Sequence, residues 1–379
     1  MERQTKTTNA RRMRCRARRA VILGFSFFVL AQVGLLAVIE GWKPILVDAE
    51  FGIRLDSMRS LVRQYPGRES LVVLGSSRMG NGFETDYAMA RSFIEDRRDS
   101  PIVVNMSMTG GTSVWQYLAL RRLIDNGLKP DAVIVEIFPM TLVSDAQYFR
   151  SDYHFPHHRL RWRDVLALSD VMPDQSNRHL LEWIINNVVF PWHTHRFPIV
   201  DLLLPAWQVD QLNNQSRPRV WRHIISPTGW IPFSVEVPTP EQRHEAEEVA
   251  RKAYGELGDA TELCQSTCRL YQALFACCRE NGIKISAVVM MPESEGFRGL
   301  YGRHLLEHVG RFAASISREE RIPVVDAREW IPADRFWDGH HLLTSGARMF
   351  TDRMCTEVLG FKRTATGRHV ASGASSTVE

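Results

Sequence analysis

The sequence predicts an α/β fold built on a mostly parallel five-stranded sheet, with a helical and loop insertion and one N-terminal transmembrane helix. Three observations carry this expectation. From residue 70 onward, short apolar runs alternate with stretches of helical periodicity. That alternation implies right-handed crossovers between parallel strands, not hairpins. A stretch without any charged side chain, residues 20–39, comes before all of them.

That stretch is the first element. As a helix rising about 1.5 Å per residue, it is roughly 30 Å long, the thickness of a bilayer's hydrocarbon core. Arg11, Arg12, Arg14, Arg16, Arg18 and Arg19 precede it and mark residues 1–19 as the cytoplasmic side by the positive-inside rule. A cleaved signal peptide is the alternative, but its apolar region is usually shorter and no small-x-small cleavage site is evident. The expected arrangement is a single-pass inner-membrane anchor with the rest of the chain outside the cytoplasm.

Residues 40–69 read as a partly helical, membrane-proximal segment. Residues 70–75 are the first strand and 83–96 a helix. Residues 101–105 form the second strand, which runs into Thr109-Gly110-Gly111-Thr112, a turn of small residues. A helix follows over 114–126 with Gly127 as its stop. Residues 131–138 are the third strand.

Residues 140–240 break the alternation. They are rich in Trp, His, Pro and Arg and read as an insertion of helices and loops. A long helical region over 239–281 resumes the pattern, with a break near 255–258. Residues 283–291 and 323–326 complete the strands, with a helix over 299–318 between them and a last helix over 345–359. The core domain therefore spans 70–362. The Ser-, Gly- and Thr-rich tail, 363–379, is expected to be disordered.

Composition narrows the function. A net charge of +4 with its excess at the extreme N-terminus calls for no nucleic-acid partner. Cys15 lies before the anchor, and Cys264, Cys268, Cys277, Cys278 and Cys355 fall within helical patterns. They read as small apolar fillers, neither a disulfide framework nor a zinc site.

Two segments carry chemistry. Leu71-Val72-Val73-Leu74-Gly75-Ser76-Ser77-Arg78 is a buried strand running into a tight turn that presents serine. Phe336-Trp337-Asp338-Gly339-His340-His341-Leu342 puts an Asp three residues before a His, on a loop ahead of the last helix. A serine hydroxyl needs a base, and the base needs a carboxylate to fix its tautomer. In parallel sheets, sites form at the carboxyl ends of strands, and both segments follow strand ends.

These residues resemble the SGNH (GDSL-like) hydrolase superfamily, and more narrowly its membrane-anchored O-acylation branch, the alginate acetylation and DltD-like proteins. Gly75-Ser76-Ser77 matches the first block, with Ser77 in the nucleophile position and Ser76 where the family has Asp. Asn105-Met106-Ser107-Met108-Thr109-Gly110 matches the second, and Asp338-Gly339-His340-His341 the last. The resemblance covers roughly residues 70–140 and 280–360. It implies a three-layer, flavodoxin-like sandwich. It also implies Ser77 as nucleophile, His341 as base, Asp338 as its orienting carboxylate, and the amides of Ser77 and Gly110 as oxyanion donors. No cofactor or metal is implied. The expected partners are the membrane, an acylated polysaccharide or other polymer, and a membrane-embedded acyltransferase. One block departs from the family. Where an Asn follows the third strand, this chain has Met140 and Thr141. Arg78 or a group from the insertion is the expected replacement, with Arg78 in contact with substrate. A catalytically inactive, polymer-binding or scaffold protein is the competing expectation.

Other motifs are less specific. His154, His157 and His158 have metal-like spacing but no accompanying carboxylate motif, and read as a solvated loop. His193 and His195 read as structural. The tryptophans of the insertion fit a core or a sugar-stacking face. Glu136 reads as a hydrogen-bonded structural carboxylate. Gly75-Ser76-Ser77 lacks the glycine spacing and lysine of a phosphate-binding loop.

Overall fold

Strands β1 (Ser70–Leu74), β2 (Ile102–Asn105), β3 (Ala132–Ile137), β4 (Lys284–Met290) and β5 (Val324–Asp326) form one parallel sheet in the order 2-1-3-4-5. The computed structural model describes residues 2–94, 100–143, 156–204 and 218–361. β1 to β3 are apolar almost throughout because helices cover both faces.

Alternate side chains divide the core in two. Val72, Leu74, Val104, Val133, Val135 and Val288 face one layer, and Leu71, Val73, Val103, Ile134 and Val289 the other. The first layer is built from α2 (Ala49–Gln64), α5 (Ser113–Asp125), α11 (Gln265–Glu280) and α12 (Arg303–Ser315). The second is built from α3 (Ser77–Gly82), α4 (Thr85–Ile94) and α13 (Thr344–Glu357). The strand order is the flavodoxin-like one, whose switch point lies between β1 and β3.

The N-terminal helix, α1, runs Glu2–Trp42 and contains an apolar stretch, Met13–Gly41, long enough to cross a membrane. It extends beyond the expected 20–39 at both ends. Arginine and lysine are good helix formers, so the basic segment continues the helix.

The segment after α1 departs from the expectation of a separate membrane-proximal stretch. Phe51, Leu55, Met58 and Leu61 of α2 are buried in the main core. The folded body therefore begins well before residue 70.

The insertion is helical where described: α6 (Trp162–Val171), α7 (Ser176–Trp183), a π-helical stretch Ile184–Val189, α8 (Pro191–Leu203) and α9 (Pro218–Ile224). It closes on α1 and α2. The backbone of Trp162 donates to the Glu40 carboxylate at 3.1 Å, and Arg161 donates to the Glu40 carbonyl at 2.9 Å. The helical region after it splits as expected, into α10 (Pro240–Gly258) and α11. Tyr148, His154, Trp207 and the tail 363–379 lie outside the described residues.

Candidate active site

β1 ends at Leu74, and the chain turns through Gly75 and Ser76 into α3. A Cβ on Gly75 would stand 2.5 Å from Met79 Cβ and 2.6 Å from Glu136 Oε2, so only glycine fits. Ser76 is the N-cap of α3, and its hydroxyl accepts the backbone N–H of Arg78 at 3.1 Å. Ser77 opens the helix. Its Oγ lies 2.8 Å from His341 Nε2.

His341 is held from behind. Its Nδ1 lies 2.7 Å from Asp338 Oδ2, while Asp338 Oδ1 accepts the backbone N–H groups of His341 and His340 at 2.7 and 3.1 Å. Burial works against charge on Asp338, but His341, His340 and these hydrogen bonds outweigh it and hold the carboxyl well below its usual range. An ionised Asp338 keeps the proton on Nδ1, which leaves Nε2 to accept from Ser77. Such a relay can take the serine proton as the oxygen attacks an electrophile.

His340 makes no ring contact with Ser77, although its Nδ1 lies 3.2 Å from Asp338 Oδ1. Its ring is buried and stacks on Phe297 at 4.7 Å between centroids and on Phe138 at 6.2 Å. Burial, with neighbouring His341, pushes it down to about 3, so it is a neutral ring in an aromatic pocket.

Arg78 corrects an expectation. Its guanidinium is buried and donates to the carbonyls of His340, Met291 and Pro292 and to Glu293 Oε1, the last at 2.9 Å. It also sits 4.1 Å from the centre of the Phe138 ring. It therefore ties the serine turn to the histidine loop and is not exposed to substrate. Glu136 completes the tie, with Oε2 accepting the backbone N–H of Ser76 at 2.6 Å and Oε1 3.8 Å from Arg78. Glu293 was not singled out by the sequence. The only local sign is a carboxylate just past the apolar strand β4.

Gly110 lies on the loop after β2 with φ +66°, a conformation that favours glycine. The loop is pinned against the serine turn: Met108 N–H donates to Gly75 O at 3.0 Å. Behind it, Glu50 Oε1 accepts both the backbone N–H and the hydroxyl of Thr109, at 2.9 and 3.1 Å. α2 thus supports the loop that carries Gly110. Directly after β3, among the described residues, no side-chain amide stands in for the missing Asn. Met140 is buried, and the Thr141 hydroxyl donates to Phe138 O at 2.8 Å.

A cleft of about 460 Å³ opens beside Ser77. Asn81 and Thr109 line it from the core, and Trp221, Ile231 and Phe233 from the insertion. The insertion, which the resemblance left unexplained, therefore walls the site.

Among the described residues, Asp338, His340 and His341 have the spacing of a metal site. Asp338 and His341 are already engaged with each other, and their 2.7 Å contact leaves no room for an ion between them. The expected solvated His loop is also corrected. His157 is buried, with Nε2 3.2 Å from His179 Nδ1. His195 is buried between Leu46 O and Asn187 Oδ1, at 3.0 and 2.8 Å, as a structural residue. Of the tryptophans, Trp183, Trp221 and Trp230 are buried, while Trp162 and Trp192 are exposed. The described cysteines are unbridged.

No curated protein matches this chain. A family model described only as a protein of unknown function, DUF1574, matches residues 55–155, a stretch that holds Ser77 and Gly110 but neither Asp338 nor His341.

Proposed function

We propose that this chain is a membrane-anchored, extracytoplasmic serine esterase or O-acyltransferase of the SGNH type, acting on acyl esters, acetyl foremost, of a cell-surface or exported polysaccharide. One observation carries the reading: Ser77 Oγ, His341 and Asp338 form an unbroken relay with contacts of 2.8 and 2.7 Å at the mouth of a cleft. The flavodoxin-like strand order and the position of both halves at strand ends support the SGNH assignment. The arginine-flanked apolar helix supports an inner-membrane anchor with its N-terminus in the cytoplasm. Phe233 at the cleft, with Trp337 5.6 Å from it, suits the flat face of a sugar ring.

Ser77 Oγ attacks the ester carbonyl carbon and passes its proton to His341 Nε2. The N–H groups of Ser77 and Gly110 stabilise the oxyanion. The ester C–O bond breaks, and the leaving oxygen takes the proton from His341. Water, or a sugar hydroxyl, then attacks the acyl-serine, gives its proton to His341, and releases acid or a new ester with Ser77 restored. A membrane-embedded acyltransferase is the expected supplier of acyl groups in the transferase case.

A catalytically silent SGNH-like module that binds polymer or scaffolds a membrane assembly is favoured by one observation, Met140 and Thr141 in the place of the family's Asn after β3. Acetate release from an acetylated polysaccharide by the purified full chain separates the two. Release that disappears in Ser77→Ala supports the enzyme. No release and no transfer to an added oligosaccharide, from folded protein, contradicts it.

A further inference from the structure

The insertion leaves a large apolar face uncovered. Among the described residues, Leu181, Ile185 and Val189 recur every four residues along α7 and the π-helical stretch, and Trp192 opens α8 just past the bend at Phe190. With Phe190 and Leu203 they are between 42 % and 65 % exposed. The opposite side carries His179, Trp183 and Asn187, all buried. Isolated exposed apolar residues are ordinary, but a row of this length is not.

Its position decides what covers it. The π-helical stretch and α8 pack against α1. Leu35 of α1 lies against the cluster that holds Ile199 and Leu202 of α8, and Leu36 packs against the main core. The apolar stretch of α1 ends at Gly41. At about 1.5 Å per residue, Leu35 stands roughly 9 Å back from that end. The helices packed on it therefore lie beside the last turns of the apolar stretch. Trp162, also exposed, sits beside Glu40 at the end of that stretch, and tryptophan is favoured at membrane–water interfaces.

We infer that the run from Leu181 to Leu203 is an interfacial platform, lying in the outer surface of the same bilayer that α1 crosses, with its apolar row among the acyl chains. The cleft wall is tied to it. Trp221 belongs to the apolar cluster that joins α1, α8 and α9, and it also lines the cleft beside Ser77. The platform therefore fixes the site close to the membrane surface, within reach of a substrate carried on a lipid or threaded through a membrane protein. This inference rests on α1 spanning the bilayer and not on the esterase chemistry.

The test uses the full chain reconstituted in phosphatidylcholine vesicles with and without brominated acyl chains, which quench tryptophan emission on contact. Trp192→Phe is expected to lose a quenchable component that Trp330→Phe, in the loop after β5 beside Phe350, retains. Carbonate washing of the same vesicles reports α1 separately. Vesicles that keep the chain but show identical quenching in both variants overturn the platform and leave the anchor standing. A chain stripped by carbonate overturns the span and the platform with it. A cross-linkable dimer that Ile185→Asp disperses, with no Trp192 quenching, assigns the row to a second copy and overturns the bilayer as its occupant.

Discussion

Two buried polar clusters meet at the loop after β2 and differ in how completely they are closed. On the side of α1, Arg54, Arg122 and Arg159 face Asp48, Glu50 and Asp164, three cations against three anions, linked by contacts of 2.7 to 3.2 Å. Arg122 donates to Asp48, to Asp164 and to the Arg159 carbonyl. On the serine side, Arg78 is enclosed by Glu136 and Glu293, but the relay in front of it ends on a half-exposed hydroxyl facing a cleft. The first cluster is closed within the fold except at Arg54 Nε, and the second ends on a hydroxyl that donates to His341 and faces the cleft. That difference separates scaffold from candidate chemistry, although both are charged and buried. Glu50 joins them, since its carboxylate holds Arg54 and Arg159 on one side and Thr109 on the other.

The contrast can be broken by substitution. The largest effect is expected from Ser77→Ala, which should cost about 10⁶-fold in turnover of an acyl ester, the scale of losing a nucleophile, without lowering the melting temperature. Asp338→Asn should cost up to about 10⁴-fold by disturbing the tautomer of His341. Circular dichroism should show both variants folded.

Arg122→Ala acts on the other cluster. It strands the buried Asp164, leaves Asp48 with Arg159 alone, and should destabilise the fold by about 3–5 kcal/mol, read from chemical denaturation. The fraction that remains folded should still react at Ser77, because no relay contact is touched.

Strands and relay were legible in the sequence because each is local. A buried parallel strand is a continuous apolar run, and Gly-Ser-Ser or Asp-x-x-His sits within four residues. What the sequence concealed is long-range. Arg78 meets Glu293 across 215 positions, and nothing near Arg78 distinguishes it from a surface arginine aimed at substrate. α2 read as a membrane-proximal segment because its core residues are interleaved with Glu50, Arg54 and Asp56, and the charges find partners only in the folded chain. The short helix α3 was hidden by its glycines, which lower helix propensity. The insertion's role as a cleft wall depends on its docking, not on its pattern.

Acid should sharpen the comparison from a third direction. Burial pushes His195 down to about 4, and His157 and His179 are pushed down in the same way. The unfolded chain protonates them near pH 6.5, while the folded chain keeps them neutral to much lower pH. Their stabilising contribution is therefore intact above about pH 6.5 and is lost as pH falls, by at most about 1.4 kcal/mol per unit for each group. Melting temperature measured from pH 7 to 5 should fall, and His195→Gln should flatten the slope. The smallest effect is expected from Ser76→Ala. Loss of the cap should cost about 1 kcal/mol and leave Ser77 reactive.

Whether Ser77 is a nucleophile can be measured directly. Folded full-length protein treated with a fluorophosphonate and digested for peptide mass analysis is expected to carry one adduct, on Ser77. The adduct should persist in Ser76→Ala and vanish in Ser77→Ala. Folded wild-type protein without an adduct, or an adduct that survives Ser77→Ala, would contradict that role.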